Sequence, residues 1–357
     1  MSKEIKVLVV DDSAVVRKVF KEELSRHKGI TVIDTAPDPY VAREKIVRLK
    51  PDVITLDIEM TRMDGITFLK KLMKYYPLPV IIVSSLSTKG SQLAMEALAI
   101  GALEVMAKPN EAYSVGDVSI QLAEKIRAVH GVKFTRNGEN RSLNTRTKDA
   151  AIYQAKTAHN VIAIGASTGG TKAITTVLTQ IPRNTPGIVV VQHMPAQFTS
   201  AFAQRLNELC QIRVKEAENG DPVTPGTALI APGNYHMVLK SRGTGYCVQI
   251  KTGPLVHYQR PAVDILFRST ARAAGARALG VILTGMGKDG AQGLLEMKNE
   301  GAVTIAQDKN SSVVYGMPKE ARMIGAVDYV EDINNIAGRV RSILNNCSCM
   351  TYAKGGV

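Results

Sequence analysis

The sequence predicts two α/β domains, each built on a mainly parallel sheet with helices on both faces. Three observations lead to this fold class. The chain has 357 residues, more than one hydrophobic core usually supports, so two domains are expected. Short runs rich in valine and isoleucine alternate with amphipathic segments through both halves, a pattern typical of right-handed βαβ units. Residues 131–159 between the halves contain few large apolar side chains, which indicates a linker.

The first half, residues 1–130, is predicted to be a doubly wound domain with five parallel strands. Strands that are buried on both faces of a parallel sheet have continuous apolar runs rather than alternating ones. Five such runs occur, and segments that fit helices separate them. The predicted strands are Ile5–Val10, Ile30–Thr35, Val53–Leu56, Val80–Val83 and Leu103–Ala107.

The second half, residues 160–350, is predicted to be another doubly wound α/β domain with a mainly parallel sheet. Apolar runs again alternate with helical patterns. Between the second and third strands, Gly226–Lys251 shows short alternating runs with glycine and proline. This stretch predicts a β-hairpin at one edge of the sheet. The predicted strands are Val161–Gly165, Gly187–Gln192, Val281–Thr284 and Val303–Ala306.

Composition favours a soluble protein inside the cell. No apolar run approaches the ~20 residues that cross a bilayer, and the N-terminus lacks the apolar region of an export signal. The four cysteines are too few and too irregularly spaced for a disulfide framework, so we expect reduced thiols. We therefore predict a cytoplasmic protein without direct membrane insertion.

The net charge of +13 raises the question of nucleic acid binding. The excess of lysine and arginine is spread over the second half of the chain, and no dense basic run occurs. The sequence also lacks a clear helix-turn-helix pattern and a cluster of basic and aromatic residues. We therefore expect protein partners and no nucleic acid.

Polar residues follow the predicted strands of the first half at the points where the strands end. Asp11 and Asp12 follow the first strand, Asp57 the third, Ser84 the fourth and Lys108 the fifth. The carboxyl ends of parallel strands meet at one edge of a sheet, so these side chains are expected to lie together. Crowded carboxylates repel each other unless a hard cation joins them, and Mg²⁺ prefers such oxygen ligands. The pattern predicts a magnesium site beside a nucleophilic carboxylate.

A single aspartate after a strand is more often a helix cap or a turn residue. The whole combination, with Pro109 after Lys108, instead resembles the response-regulator receiver family over residues 1–128. The resemblance implies a flavodoxin-like fold in which Asp57 accepts a phosphoryl group. It also implies that Ser84 and Lys108 bind the phosphoryl oxygens. The implied Mg²⁺ ligands are Asp11, Asp12, Asp57 and the backbone carbonyl of Glu59.

One position departs from the receiver pattern. Many receivers carry an aromatic residue three positions before the lysine, whereas this sequence has Val105 there. The resemblance therefore does not extend to an aromatic side chain that changes rotamer on phosphorylation.

A glycine-rich turn follows the first predicted strand of the second half. Gly165-Ala166-Ser167-Thr168-Gly169 matches Gly-x-Ser-x-Gly, in which small neighbours allow a sharp turn that exposes the serine hydroxyl. Backbone N–H groups of such a turn can face a developing oxyanion. A phosphate-binding turn occupies the same place between a strand and a helix, although no Walker lysine follows these glycines. The motif alone leaves both a nucleophilic serine and a phosphate cradle open.

Two residues after later strands favour the nucleophilic serine. His193 follows the next strand, at the same edge as Ser167, and is placed to act as a general base. Asp289 follows the third predicted strand and could fix the histidine tautomer, or it could only cap the helix that begins near Ala291. The amide of Met286 could help to form an oxyanion hole. The chain order serine, histidine, aspartate differs from that of the α/β-hydrolase fold, so that fold is not expected.

Three motifs together carry a closer resemblance. The serine turn, Gln192-His193-Met194-Pro195 and the Thr-Gly-Met-Gly-x-Asp-Gly run at 284–290 follow a receiver, as in the chemotaxis protein-glutamate methylesterase family. This resemblance spans nearly the whole chain. It implies hydrolysis of glutamate methyl esters on methyl-accepting chemotaxis receptors, with release of methanol, and deamidation of receptor glutamines.

The same resemblance implies the site residues and the partners. No cofactor is implied for ester hydrolysis, and a chemotaxis histidine kinase is implied as the phosphoryl donor to the receiver. The implied triad is Ser167, His193 and Asp289. The implied supports of the oxyanion are Met286 and Thr168.

Overall fold

The computed structural model describes residues 4–60, 64–109, 115–132 and 161–349. These residues fall into two compact units. The predicted linker, 131–159, lies outside the described residues except for its first two positions. No helix within the described ranges is both long and apolar enough to cross a membrane.

The N-terminal unit alternates strands with helices along the chain. Its strands are β1 (Ile5–Val10), β2 (Ile30–Ala36), β3 (Val53–Leu56), β4 (Val80–Ser84) and β5 (Glu104–Ala107). Its helices are α1 (Ala14–Ser25), α2 (Pro39–Leu49), α3 (Gly65–Tyr75), α4 (Thr88–Ile100) and α5 (Val115–Val129). The strands form one parallel sheet in the order β2-β1-β3-β4-β5.

The predicted strands of this unit are confirmed. Strands β1 and β3 have the predicted bounds, and each of the other three differs from its prediction by a single residue. The strand order reverses at β1, which lies between β2 and β3. A ligand crevice is therefore expected at the carboxyl ends of β1 and β3. Helix caps fix the nearby loops, since Ser13 Oγ accepts from Val16 N–H at 3.4 Å and Ser87 Oγ accepts from Gly90 N–H at 2.8 Å.

The C-terminal unit contains a large sheet, a small sheet and the helices that cover them. The large sheet comprises β6 (Val161–Ala166), β7 (Gly187–Gln192), β8 (Arg213–Glu216), β10 (Thr227–Ile230), β13 (Ala278–Ile282), β14 (Val303–Gln307) and β15 (Tyr329–Glu331). The small sheet comprises β9 (Pro222–Val223), β11 (His236–Arg242) and β12 (Gly245–Lys251). The helices are α6 (Gly170–Leu178), α7 (Phe198–Leu209), α8 (Val263–Ala274), α9 (Ala291–Asn299), α10 (Met317–Met323) and α11 (Ile333–Cys349).

The large sheet is parallel throughout and has the order β15-β14-β13-β6-β7-β10-β8. Strands β6 and β7 are buried along their whole length, which explains their continuous apolar sequences. The order reverses at β6, which lies between β13 and β7. The carboxyl end of β6 is therefore the place where such a sheet binds ligands.

The predicted hairpin is present, but its predicted range and position need correction. Strands β11 and β12 form the hairpin, and β12 also pairs antiparallel with β9 in a separate three-stranded sheet. The run Thr227–Ile230, which was predicted within the hairpin, instead forms β10 between β7 and β8 of the large sheet. The third strand, predicted at Val281–Thr284, spans Ala278–Ile282, so it begins three residues earlier and ends two residues earlier than predicted.

Candidate active site

In the N-terminal unit, Lys108 joins two of the predicted carboxylates. Its Nζ lies 2.8 Å from Asp11 Oδ2 and 2.7 Å from Asp57 Oδ2. Both aspartates are buried, and they follow the central strands β1 and β3. The structure thus brings Lys108 and two of the predicted acidic residues together at the crevice.

Charge and burial act in opposite directions on these groups. Burial raises the pKa of Asp11, and the neighbouring Asp57 raises it further, although Lys108 lowers it. Burial alone would lower the pKa of Lys108, but hydrogen bonds and charge from Asp11 and Asp57 outweigh burial, so the pKa of Lys108 is raised. Lys108 therefore stays protonated between the two carboxylates at neutral pH.

The acidic cluster fits a hard divalent cation. Asp11, Asp12 and Asp57 each offer an oxygen, and these atoms all lie within 4.8 Å of one another. Oxygen ligands of this kind suit Mg²⁺. The fourth predicted ligand residue, Glu59, is held next to them, because its N–H donates to Asp57 Oδ1 at 3.1 Å.

Ser84 is fully buried at the end of β4, and its Oγ has no hydrogen-bond partner among the described residues. A buried hydroxyl without a partner is costly unless a ligand supplies one. This observation fits the predicted contact of Ser84 with a phosphoryl oxygen. Val105, which replaces the aromatic residue of many receivers, is buried in β5.

In the C-terminal unit, Ser167 and His193 follow the ends of two neighbouring strands. The last residues of β6 and β7, Ala166 and Gln192, pair in register. His193 N–H donates to Ala166 O at 3.1 Å, which continues the ladder by one bond. Because paired strands lie about 4.8 Å apart, the serine and the histidine stand side by side at the carboxyl edge of the sheet.

His193 and Asp289 form a direct contact. His193 Nε2 lies 2.7 Å from Asp289 Oδ2, and both side chains are buried. Asp289 also accepts from two N–H groups at the start of α8, those of Val263 at 2.7 Å and Asp264 at 2.9 Å. Burial opposes ionisation of this carboxyl, but the bonds and charge of His193 and the two backbone donors outweigh burial and lower the pKa of Asp289.

The contact with Asp289 decides which ring nitrogen of His193 is free to act as a base. An ionised carboxylate only accepts hydrogen bonds, so Nε2 carries the proton and the lone pair of the neutral ring lies on Nδ1. Nδ1 is therefore the nitrogen available to a hydroxyl. Within residues 161–349, no hydrogen bond joins the Ser167 hydroxyl to the ring.

A loop after β13 packs closely against Ser167. Ser167 N–H donates to Thr284 O at 3.0 Å, and a Cβ at Gly285 would lie 2.7 Å from Ser167 Cβ. Only glycine fits this approach, and Met286 is the next residue of the same loop. The N–H groups of Thr168 and Met286 have no acceptor in the part of the chain that the structure describes. Both are thus free to donate to an oxyanion.

Gln192 has a supporting contact that the sequence motif alone does not reveal. Its Nε2 donates to Ser167 O at 2.9 Å and to His193 O at 3.2 Å, so one buried side chain fixes the backbone of both residues. Its position directly before His193 was the only available signal, because these bonds depend on the pairing of β6 with β7. Gly170 leaves room for this side chain, since a Cβ there would lie 2.1 Å from Gln192 Oε1.

Gly170→Ala should therefore lower both stability and the rate of any reaction at Ser167. The added methyl group would overlap Gln192 and displace it from the two carbonyls, at a cost of about 1–3 kcal/mol. Thermal unfolding and a Ser167-directed probe would measure the two effects. Gly245→Ala is the matched control, because no atom lies within 4 Å of a Cβ at Gly245. Equal behaviour of the two variants would contradict a role for the Gln192 contacts.

Two family models match separate parts of the chain. The family described as "CheB methylesterase" matches residues 162–340. The family described as "Response regulator receiver domain" matches residues 7–115. The first match contains the Ser167 turn, His193 and Asp289, and the second contains the Asp57 and Lys108 pair.

Similar proteins cover nearly the whole chain. A "Protein-glutamate methylesterase/protein-glutamine glutaminase 2" of Syntrophus aciditrophicus is 64% identical over 340 residues, 95% of this chain and 99% of that relative. A "Protein-glutamate methylesterase/protein-glutamine glutaminase" of Sulfurimonas denitrificans is 51% identical, covering 96% of this chain and 99% of that relative. The solved CheB methylesterase catalytic domain of Thermotoga maritima is 38% identical with a TM-score of 0.51, covering 52% of this chain and 98% of that chain. The chain therefore belongs to the CheB methylesterase family.

Proposed function

We propose that this chain is a phosphorylation-regulated serine esterase that hydrolyses glutamate methyl esters on chemotaxis receptors. The 2.7 Å contact between the buried His193 and Asp289, at the sheet edge where Ser167 lies, carries the proposal. A histidine oriented by a carboxylate beside a serine is the arrangement that activates a hydroxyl as a nucleophile.

In the first step, Ser167 Oγ attacks the ester carbonyl while His193 Nδ1 takes the hydroxyl proton. Negative charge develops on the carbonyl oxygen, and the free N–H groups of Thr168 and Met286 are suitable donors to it. The tetrahedral intermediate collapses, the bond to the methoxy oxygen breaks, and His193 returns the proton so that methanol leaves. Asp289 stabilises the imidazolium during this step.

In the second step, a water molecule attacks the acyl-enzyme while His193 again takes a proton. The bond to Ser167 Oγ breaks, the proton passes to that oxygen, and the product is a free glutamate side chain. A glutamine side chain would react by the same sequence with ammonia as the leaving group. The relatives' names pair a methylesterase with a glutaminase, so we propose deamidation of receptor glutamines as a second reaction.

The test uses the full chain and a receptor fragment that carries labelled methyl groups on its glutamates. Labelled methanol is expected in the soluble fraction, and ammonia is expected from a fragment with glutamine at the same sites. A fragment with alanine at those sites is the control. A receptor that keeps its label after long incubation, with or without a small phosphodonor, would contradict the proposed function.

We propose that the receiver controls this activity through phosphorylation of Asp57 by a chemotaxis histidine kinase. Mg²⁺, held by Asp11, Asp12, Asp57 and the Glu59 carbonyl, would supply charge neutralisation when bound. The Asp57 carboxylate is the nucleophile toward phosphorus. Lys108, which already contacts Asp57 Oδ2 at 2.7 Å, and the buried Ser84 hydroxyl are placed to bind the phosphoryl oxygens.

Asp57→Asn should abolish phosphorylation by a small phosphodonor, because an amide oxygen is a far weaker nucleophile than a carboxylate. We expect the phosphodonor to change methanol release by wild type and to leave release by the variant at its basal rate. Intact-protein mass measurement and the methanol assay report the two effects. Asp52→Asn is the control, since the Asp52 side chain accepts from Lys6 N–H at 2.9 Å, at the start of β3 and away from the carboxyl ends of the strands. Phosphorylation of the Asp57→Asn variant to the wild-type level would rule out the assignment.

A further inference from the structure

A second buried carboxylate, that of Asp264, lies beside the proposed triad and has no part in the steps above. Asp264 is 1% exposed. Its backbone N–H donates to Asp289 Oδ1 at 2.9 Å, and its own Oδ1 accepts from Gly293 N–H at 2.7 Å. Its other oxygen, Oδ2, lies 3.2 Å from His257 Nε2.

These bonds make helices α8 and α9 cap each other. The N-cap residues Ala262 and Gly290 provide no side-chain cap. Asp289, just before α9, accepts from the first turn of α8, and Asp264, in the first turn of α8, accepts from the first turn of α9. The first N–H groups of a helix need acceptors from outside the helix. Asp289 supplies them for α8, which contains Asp264, and Asp264 supplies one for α9, which begins just after Asp289. The position of Asp289 therefore depends on the carboxylate of Asp264.

His257 extends this arrangement to the surface. His257 and Tyr258 are the central residues of a tight turn closed by two bonds between Val256 and Gln259, at 3.1 and 2.9 Å. Both have positive φ angles, +51° and +59°, which non-glycine residues rarely adopt. Strained backbone of this kind persists only where surrounding contacts hold it. The His257 contact with Asp264 is such a contact, and it directs the half-exposed ring toward the triad.

The same three side chains could be taken for a cation site, because ligand atoms of His257, Asp264 and Asp289 lie within 4.8 Å of one another. The helix starts argue against it. Both carboxylates accept N–H groups from helix N-termini, where the helix dipole is positive and repels a cation. The cluster is therefore built to hold carboxylates in place.

We propose that Asp264, held by His257, is a positioning residue that fixes Asp289 against His193. The proposal rests on the proposed esterase function. Without the Asp264 carboxylate, Gly293 N–H loses its acceptor, the start of α9 is released, and Asp289 no longer holds the ring of His193 in one orientation. Asparagine at this position keeps an acceptor oxygen for Gly293 N–H, so it preserves most of the effect.

The test measures methanol release by the full chain as a function of pH. Asp264→Ala is expected to lower kcat by about 10- to 100-fold with a smaller change in KM, as for a misplaced catalytic group. Asp264→Asn should keep most of the wild-type kcat. The acid limb of the kcat/KM profile should move to lower pH in Asp264→Ala, because a displaced Asp289 stabilises the imidazolium less. If Asp264 only stabilises the fold, Asp264→Ala would lower the concentration of active protein and leave the acid limb at the same pH as in wild type.

Asp328→Ala is the matched control, because Asp328 Oδ2 also accepts a backbone N–H, that of Thr304 at 2.9 Å, at the opposite end of the sheet. If Asp264→Ala has the same kcat and pH profile as this control while wild type is active, the positioning role is wrong and the esterase function stands. If wild type itself releases no methanol, the esterase function is wrong. If Asp264→Ala does not fold, His257→Ala decides, since it removes only a half-exposed ring. A severalfold lower kcat with a shifted acid limb would support the proposal, and a wild-type profile would overturn it.

Discussion

Ser167→Ala is expected to slow methanol release from methylated receptor by about 10⁵–10⁶-fold in kcat, the loss seen when a serine nucleophile is removed from a triad. The hydroxyl is the protein group that forms a bond to the substrate carbon in the proposed mechanism. The free N–H groups of Thr168 and Met286 remain in the variant. Substrate binding, measured as KM or by direct titration of the receptor fragment, should therefore change little.

The control for this variant is Ser241→Ala. Ser241 lies in the hairpin, where its Oγ donates to Ala273 O at 3.2 Å, and its loss should leave the rate near that of wild type. Thermal unfolding of both variants would show that the fold is intact. A Ser167→Ala chain that releases methanol near the wild-type rate would contradict the proposed nucleophile.

Asp289→Asn is expected to lower kcat on the order of 10⁴-fold, the loss seen when the triad aspartate becomes an amide. The amide nitrogen donates rather than accepts, so it no longer favours the proton on His193 Nε2. The ring then presents an N–H, not a lone pair, to Ser167. Steady-state methanol release would measure the loss, with Asp328→Asn as the control because Asp328, directly before β15, is a carboxylate that accepts a backbone N–H, that of Thr304 at 2.9 Å. A decrease smaller than tenfold would show that Asp289 does not orient the base.

Wild type and Asp289→Asn can also be compared as a function of pH to test the lowered pKa of Asp289. A carboxyl whose pKa is lower in the folded state stabilises the fold at pH values above its unfolded pKa of about 3.9. That stabilisation is lost as the pH falls through the lower folded pKa. The difference in free energy of unfolding between wild type and Asp289→Asn should therefore narrow as the pH is lowered below about 4. A difference that grows on acidification would contradict the lowered pKa.

Local sequence patterns were sufficient for strands with long β-branched runs. Strands β1, β3 and β7 have the predicted bounds because valine, isoleucine and leucine make up most of each strand. The start of β13 was missed because Ala278 and Gly280 carry no strand signal, although both pair with β6. The sequence of β10 is short and directly precedes the hairpin, so a local pattern does not separate this strand from the hairpin. Its true position depends on long-range pairing with β7 and β8, which no local pattern contains.

The candidate site was predictable as far as strand ends determine it. The rule that parallel strands end at one edge predicted the proximity of Ser167, His193 and Asp289, and that of Asp11, Asp57 and Lys108. The contacts within the site could not be predicted, because they depend on tertiary packing. The choice of Nε2 for the Asp289 contact depends on the orientation of the ring, and the Asp264 cap depends on how α8 and α9 pack. A single aspartate in an amphipathic helix gives no local signal of such a bond.

The backbone ladder between β6 and β7 has a consequence for how this enzyme can vary. Ser167 and His193 each directly follow the last of six paired positions in β6 and β7. The hydrogen bonds between these two strands therefore set the distance between nucleophile and base. Loops that meet the substrate do not set it. Sequence change in those loops can therefore alter which receptor segments are accepted while the geometry of proton transfer stays the same.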